Sequence, residues 1–378
     1  MAIKSSGSSL AITEIVDEFG GTAPHSLDEY YRNGDNVPGN NTDVPESGPI
    51  SFDDFYGAVN EVQHTPSNND TNLNLQTIFG SNWASSVPKR LIVPSGVTVG
   101  ATSGYAIWAP TGMSGTLVMD ISGSVQGYGG ASNGGWGGSA IGCDQTAGVT
   151  INLNSGGEIL AGGGGGGQGG AGGTGGQGGT GGTGGQGRRG NATYSGGSGG
   201  AGGAGGSGGA GGAGGVGQGY NQSAGSGSAG ASGSGGSGGA AGFNPTPASQ
   251  LGTHAEGVGS MYDHPSWGGT GGTGGTGGAG GQGGTGGAGG SFGNSGSQGN
   301  TGNTGLTGNQ GNTGGNGDCQ NYNACSIFIS IGYYNGSAGS GGSSGSAGSA
   351  GSAGGLAGEY IYNRASITFN NNGTVAGR

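Results

Sequence analysis

Charge, cysteine and proline are all scarce in this chain, and each scarcity removes a class of function. Only 7% of the 378 residues are charged, with eight Lys and Arg in total, so no basic stripe can neutralise phosphates and a nucleic-acid partner is not expected. Three cysteines (Cys143, Cys319 and Cys325) are too few for a disulfide scaffold and have no zinc spacing. No run approaches the roughly 18 apolar residues of a membrane helix. The start, MAIKSSGSSLAITEIV, lacks a secretory apolar region and a cleavage signal, so Sec export is not indicated.

Acidic charge is present but concentrated. The net charge is −11, and residues 1–64 hold eleven acids against Lys4 and Arg32. Three stretches there, SSLAITEIVDEFGG, HSLDEYYRNG and ISFDDFYGA, repeat a pattern of Ser, acidic first turn, apolar positions and Gly stop, which predicts short helices. Each is too short to stand alone, so they are expected to pack on each other, on copies of the chain or on a partner. Residues 65–90 read as a polar linker. Beyond it RLIVPSGVTVGA, YAIWAP, GTLVMDISGSVQG and GVTINLNSGGEIL alternate like short strands, as does EYIYNRASITFNNNGTV near the C-terminus. Together, 91–160 and 359–378 predict a compact β-domain, a turn of β-helix or a small sandwich, with 161–358 inserted into it.

That insertion is dominated by glycine, which makes up 112 of the 378 residues. Fixing a residue costs about 1–2 kcal/mol, most of all for glycine, so such a run is by default a floppy linker. Its register argues otherwise. From Gln168 to Gln186 every non-glycine falls on a number divisible by three, and Ser198 to Val216 keep that phase. A period of three marks extended threefold helices, and the absence of proline disfavours collagen against a polyglycine II (PPII-like) helix.

Six blocks follow: 161–187, 195–219, 223–242, 268–290, 294–317 and 336–358. A polyglycine II helix satisfies none of its own hydrogen bonds, so each block needs neighbours, and missing side chains allow them close. The first, second and fourth blocks are mostly Gly-Gly-X and the fifth is Gly-X-X. Counting bare faces puts the first, second and fourth inside the stack, and the fifth and sixth at its edge. If the six run antiparallel, connectors 188–194, 243–267 and 318–335 share the distal end, while YNQ (220–222) and SFG (291–293) lie at the other.

The distal connectors are rich in aromatic, Arg and Asn side chains, the composition of a recognition surface carried on loops. The candidate receptor-binding residues are Arg188, Arg189, Asn191, Tyr194, Phe243, His254, Tyr262, His264, Trp267, Tyr322, Asn323, Phe328, Tyr333 and Tyr334. The alternative is a small aromatic core closing the bundle end. Cys319 and Cys325, six residues apart, are close enough to form a disulfide. His254 and His264 have only Glu256 and Asp263 near them in sequence, so no metal is expected. The G-x-G-x-x-G at Gly162, Gly164 and Gly167 lacks a following helix and an acidic ribose ligand, and no serine sits in a nucleophile elbow. No catalytic set, cofactor or enzymatic activity is expected.

The stretch ISGSVQGYGGASNGGWGGSAIGCDQTAGVTINLNSGGEILAGGGGGGQGG (121–170) resembles the glycine-rich region of tailed-phage fibre and adhesin proteins. Period-three blocks with aromatic loops are similar to the tip adhesins of T-even-type long tail fibres. That resemblance implies a polyglycine II sandwich whose loops bind a host surface receptor, glycan or outer-membrane protein, on a virion made in the host cytoplasm. The head is similar to N-terminal modules of marine-phage tail proteins, which implies attachment to tail or baseplate proteins through 1–64. Homotrimers are the habit of the resembled family. Two other classes compete: a glycine-rich ice-binding bundle, disfavoured by the long aromatic connectors and acidic head, and a disordered structural spacer, disfavoured by the kept phase.

Overall fold

Short β-branched runs separated by Gly, Ser and Pro set the architecture. The structure, a computed structural model, describes residues 3–5, 7–145, 147–184, 187–189, 192–194, 197–242, 270, 272–315 and 337–378. Its centre is a three-faced parallel β-solenoid. The first coil holds β1 (Val62–His64), β2 (Asp70–Thr71) and β3 (Leu73–Asn74). The second holds β4 (Lys89–Val93), β5 (Thr98–Gly100) and β6 (Ile107–Ala109), and the third β7 (Leu117–Ile121), β8 (Ser124–Gln126) and β9 (Ile141–Cys143). The fourth begins with β10 (Val149–Leu153) and β11 (Glu158–Leu160). Beyond the glycine arms, which carry a hairpin of β12 (Gly187–Arg189) and β13 (Ala192–Tyr194), it resumes with β14 (Ile361–Tyr362), followed by β15 (Thr368–Asn371) and β16 (Thr374–Ala376).

Equivalent strands of successive coils pair in parallel. One face is ordered β1-β4-β7-β10-β15, the second β2-β5-β8-β11-β16 and the third β3-β6-β9-β14. Alternation sends Leu91, Val93, Leu117, Met119, Ile121, Ile151 and Leu153 inward, all fully buried. Each contributes roughly 1.5–3 kcal/mol of burial. Of the two β architectures open from sequence, this is the coiled one. Residues 65–90, expected to be a linker, instead contain β2, β3 and a short helix, Leu75–Phe79, capped by the Asn74 carboxamide. Leu73, Leu75, Phe79 and Trp83 join the core from this stretch. Their two-residue strands are too brief for a period-two pattern to stand out among polar neighbours.

The head has its own core of Ile3, Ile15, Phe19, Tyr30, Val37, Val44, Phe55 and Ala58. The first expected helix, with Ile15 and Phe19 buried, spans Ile12–Phe19. The other two are single 3₁₀ turns, Leu27–Tyr30 and Phe52–Phe55, and each ends where Tyr31 or Tyr56 turns extended. Ser26 and Ser51 stand at the caps as read, with Glu29 accepting the Ser26 N–H at 3.0 Å and Asp54 the Ser51 N–H at 2.7 Å, whereas the first helix starts after Ala11 in place of a serine. The three segments pack on one another through Phe55, whose ring meets Phe19 and Tyr30 edge-on at 6.4 and 6.3 Å.

The arms leave the solenoid after β11 and return before β14, so they are inserted into one coil. Their described parts, 162–184, 197–219, 223–242, 272–290, 294–315 and 337–358, contain neither helix nor strand. They are joined instead by backbone hydrogen bonds recurring every third residue. The first arm donates from Gly169, Gly172, Gly175 and Gly178 to the second (Gly212, Gly209, Gly206, Gly203), and from Gly170, Gly173, Gly176 and Gly179 to the fifth (Asn300, Asn303, Leu306, Asn309), all at 2.8–2.9 Å. Its remaining N–H groups, on Gln168, Ala171, Thr174, Gln177, Thr180 and Thr183, reach serine hydroxyls of the sixth arm at 2.7–2.8 Å. Those serines return the bond from their own N–H groups, as Ser346 does to Thr174 at 2.8 Å.

The same network sets the layout. The first arm bonds to the second, fourth, fifth and sixth; the fourth bonds to the first, second, third and fifth. Two staggered rows result, third-fourth-fifth over second-first-sixth, and neighbours within each row run antiparallel. The first and fourth arms are interior and the sixth is at the edge, as bare faces suggested. The second and fifth are a correction, because they hold equivalent corners: the second bonds to the first, third and fourth, the fifth to the first, fourth and sixth. A face that offers only a carbonyl tolerates a Cβ, so a Gly-X-X arm can serve more neighbours than its glycines alone suggest.

Close approach sorts the glycines. A Cβ at Gly170 would lie 1.8 Å from the Ser349 carbonyl oxygen, whereas one at Gly235, on the third arm, would meet nothing within 4 Å. Gly170→Ala is expected to destabilise the chain by about 1–3 kcal/mol and Gly235→Ala to be neutral or slightly stabilising; equal urea midpoints for the two variants would refute this packing. Lys89 provides a second check. It is fully buried, donates to the Ser85 and Ser114 carbonyls at 2.6 Å each, and has its pKa lowered by that burial. The folded state then holds its proton less tightly than the unfolded chain. Lys89 therefore adds stability as pH rises from its depressed value towards the ordinary one near ~10.4. Across alkaline pH the urea midpoint of the native chain should climb relative to that of Lys89→Met, and parallel curves would contradict the assignment.

Candidate functional site

The arms have two distinguishable ends. At the solenoid end, the Tyr220 N–H donates to the Gly127 carbonyl at 3.0 Å, and the Tyr220 ring lies against Gly100 of β5, where a Cβ would overlap it. Gly293 donates to the Ala161 carbonyl at 2.9 Å and sits against Ala376 and Gly377. The short connectors YNQ and SFG are thus fastened to the β-domain. The corner segment between β8 and β9 continues the packing: Gly130 donates to Gly163 and accepts from Gly217, and Gly134 donates to Gly166, each at 2.8 Å.

At the opposite end the described flanks of the three long connectors meet. Gly184 donates to Gly197 at 2.8 Å, which closes the first and second arms below the β12–β13 hairpin. Ala240 bonds to Ala201, Gly272 to Gly182, Gly315 to Thr270 and Ser337 to Thr183, at 2.8 Å in each case. Within the hairpin, Arg188 pairs with Thr193 and Arg189 with Ala192, while Gly187 pairs with Tyr194. The other candidate residues, Asn191, Phe243, His254, Tyr262, His264, Trp267, Tyr322, Asn323, Phe328, Tyr333 and Tyr334, lie outside the described residues, as do Cys319 and Cys325.

The described residues offer little reactive chemistry. Cys143 is buried in β9, and burial with Asp144 alongside pushes its thiol up to about 12, which leaves it protonated and inert. Among the described residues no group of three or more His, Cys, Asp or Glu side chains is placed to hold a metal, and no helix is long and apolar enough to cross a membrane. Arg90 is held between Glu61 and Asp120, whose hydrogen bonds and charges raise its pKa despite partial burial, a structural clasp across β4 and β7.

The shaft between the two ends is polar. Thr174, Thr180 and Thr183 share hydroxyl contacts of 2.9–3.0 Å with Ser346, Ser340 and Ser337. On the other row Asn300, Asn309 and Asn312 donate to Thr285, Thr276 and Thr273 at 2.5–2.6 Å. These side-chain ladders fall on residues that the glycine count alone treated as fillers. Their signal was the constant serine phase of the sixth block.

No curated protein matches the chain. One solved structure, the gp37-gp38 adhesin tip complex of the bacteriophage S16 long tail fibre, is similar at 16% identity with a TM-score of 0.36, covering 97% of this chain and 96% of that one. Residues 61–210, which run from the first solenoid coil through the first arm and into the second, match the family model of the phage tail fibre adhesin Gp38. That family is a structural tail adhesin and not an enzyme. Over residues 61–210 the chain is similar to the phage tail fibre adhesin Gp38 family.

Proposed function

We propose that this tail adhesin recognises a host surface receptor, glycan or outer-membrane protein, with connectors 188–194, 243–267 and 318–335, held at the end of a polyglycine II bundle away from the solenoid. The observation that carries the reading is the convergence of those connectors' flanks, Gly184 with Gly197 and Ser337 with Thr183, opposite the fastened YNQ and SFG turns. The bundle assignment is supported by the three-residue period of its hydrogen bonds. It is supported further by the lack of any positive φ among the described glycines from 157 to 292, which keeps them all on one hand.

Opposite-end fastening suits a division of labour. Aromatic and Arg side chains at the free end would supply contact area and bidentate contacts to phosphate or carboxylate. The acidic head, folded around its own core, would dock to other tail or baseplate proteins, and the chain would assemble as a homotrimer on the virion. The long aromatic connectors favour this over the ice-binding reading, which needs flat repeated faces and nothing more.

Two experiments test it. In a Cys319→Ser, Cys325→Ser background, Thr183→Cys with Ser337→Cys should cross-link on mild oxidation, whereas Ser291→Cys with Ser337→Cys should not; the reverse result would sink the bundle. Exchanging 243–267 for the corresponding loop of a related adhesin should shift the host range of the phage. Unchanged adsorption across a panel of hosts would dismiss receptor recognition by that loop.

A further inference from the structure

The third face of the solenoid carries an ordered aromatic row that the receptor-binding reading does not use. Register places Asn74, Trp108, Gly142 and Tyr362 side by side on β3, β6, β9 and β14. Their inward neighbours Leu73, Ile107, Ile141 and Ile361 are core residues, so this line points outward. Trp108 is 36% exposed and Tyr362 40% exposed, high values for rings on a regular strand face. The gap at Gly142 is filled by the ring of Tyr105, which lies where a Cβ on that glycine would stand, 2.5 Å from the ring, and which stacks on Tyr362 with centroids 6.0 Å apart and planes 29° apart. Trp108, Tyr105 and Tyr362 therefore follow one another in file across β6, β9 and β14, with Tyr105 in the place that a side chain at position 142 would take.

The surroundings of the file are neutral and hydrogen-bonding. Asn72, Asn74, Ser103 and Gly104 line a groove of about 300 Å³ beside Tyr105 and Trp108. The indole N–H is already held by Asp144 at 2.8 Å, which fixes the ring plane and leaves the other carboxylate oxygen as an acceptor. The groove lies at the small end of ligand sites, whereas a stable protein partner needs roughly 800 Å² on each side. None of the residues lining the groove is a cation, which disfavours phosphate and sulfate.

We propose that this face is a second binding site, for a neutral oligosaccharide of the bacterial surface, lying along the file with its sugar rings stacked on Trp108, Tyr105 and Tyr362. The carbon faces of successive pyranoses meet the exposed ring surface, and their hydroxyls meet Asp144 and the NH2 group of the Asn74 amide, whose oxygen caps the helix that follows. A linear chain is selected over a single sugar, because each further ring of the file adds a further stack. The site is on the solenoid, distinct from the connectors at the far end of the arms, and so would hold a surface glycan independently of them.

The test uses the full chain and indole fluorescence, with cellohexaose, chitohexaose, maltohexaose and an O-antigen oligosaccharide as probes. At least one should bind, with hexamers at least tenfold tighter than the matching disaccharide. Trp108→Ala and Tyr362→Ala, read by calorimetry and checked by thermal unfolding, should each weaken binding tenfold or more, while Trp108→Phe keeps most of it. If no probe binds at millimolar concentration, or if binding survives both alanine variants, the proposal is overturned. It is equally overturned if Tyr362→Ala dissociates a dimer of the native chain, since the face would then be covered by a second copy.

Discussion

The arms depend on one interaction, a backbone N–H···O=C bond between extended chains that touch because a side chain is missing. An extended threefold chain cannot satisfy its own amides, and burying an amide unpaired costs about 1–3 kcal/mol. Every arm must therefore have neighbours wherever it is buried, and an interior arm such as the first needs chains within hydrogen-bond distance on several sides at once. The repeat assigns the three residues of each turn to different neighbours: in the first arm, one glycine serves the second arm, one serves the fifth, and the third position meets a serine of the sixth. The composition of the chain follows from this requirement more than from any need for flexibility.

The solenoid solves the same problem with side chains. There the backbone pairs coil to coil, and the alternating apolar residues of β4, β7 and β10 fill the interior. The two schemes are joined at one corner, where the chain after β8 and the chain after β11 both turn from strand to glycine, and Gly130 bonds to Gly163. The arms thus inherit their starting register from a packed β-structure and do not have to find it themselves.

How much of this could be read from sequence follows the kind of signal each part carries. The phase of the arms is a count in one dimension, so Gln168 to Gln186 reveal it directly. The row layout is harder, because it depends on which carbonyls a Gly-X-X arm such as Asn300–Asn312 can offer, and Cβ counting misses carbonyls. The long strands β4, β7 and β10 announce themselves by alternation. The strands Asp70–Thr71 and Leu73–Asn74 are too short to do so, and Ile141–Cys143 is broken by a glycine that turns out to seat Tyr105. In the candidate site, the connectors stand out by composition against a glycine background. The file of Trp108, Tyr105 and Tyr362 does not, since it exists only through a pairing of β14 with β9, more than two hundred residues apart.

Both termini of the glycine region enter one coil, Ala161 after β11 and Gly358 before β14, and the sixth arm lies antiparallel to the first along its whole described length. A pull applied at the far end is therefore directed along the arms, and it loads their cross-bonds together, in shear. Peeling, which breaks such bonds one after another, would need a sideways force at an edge arm. The geometry that lets bare backbones meet therefore also makes the set of arms a tension member.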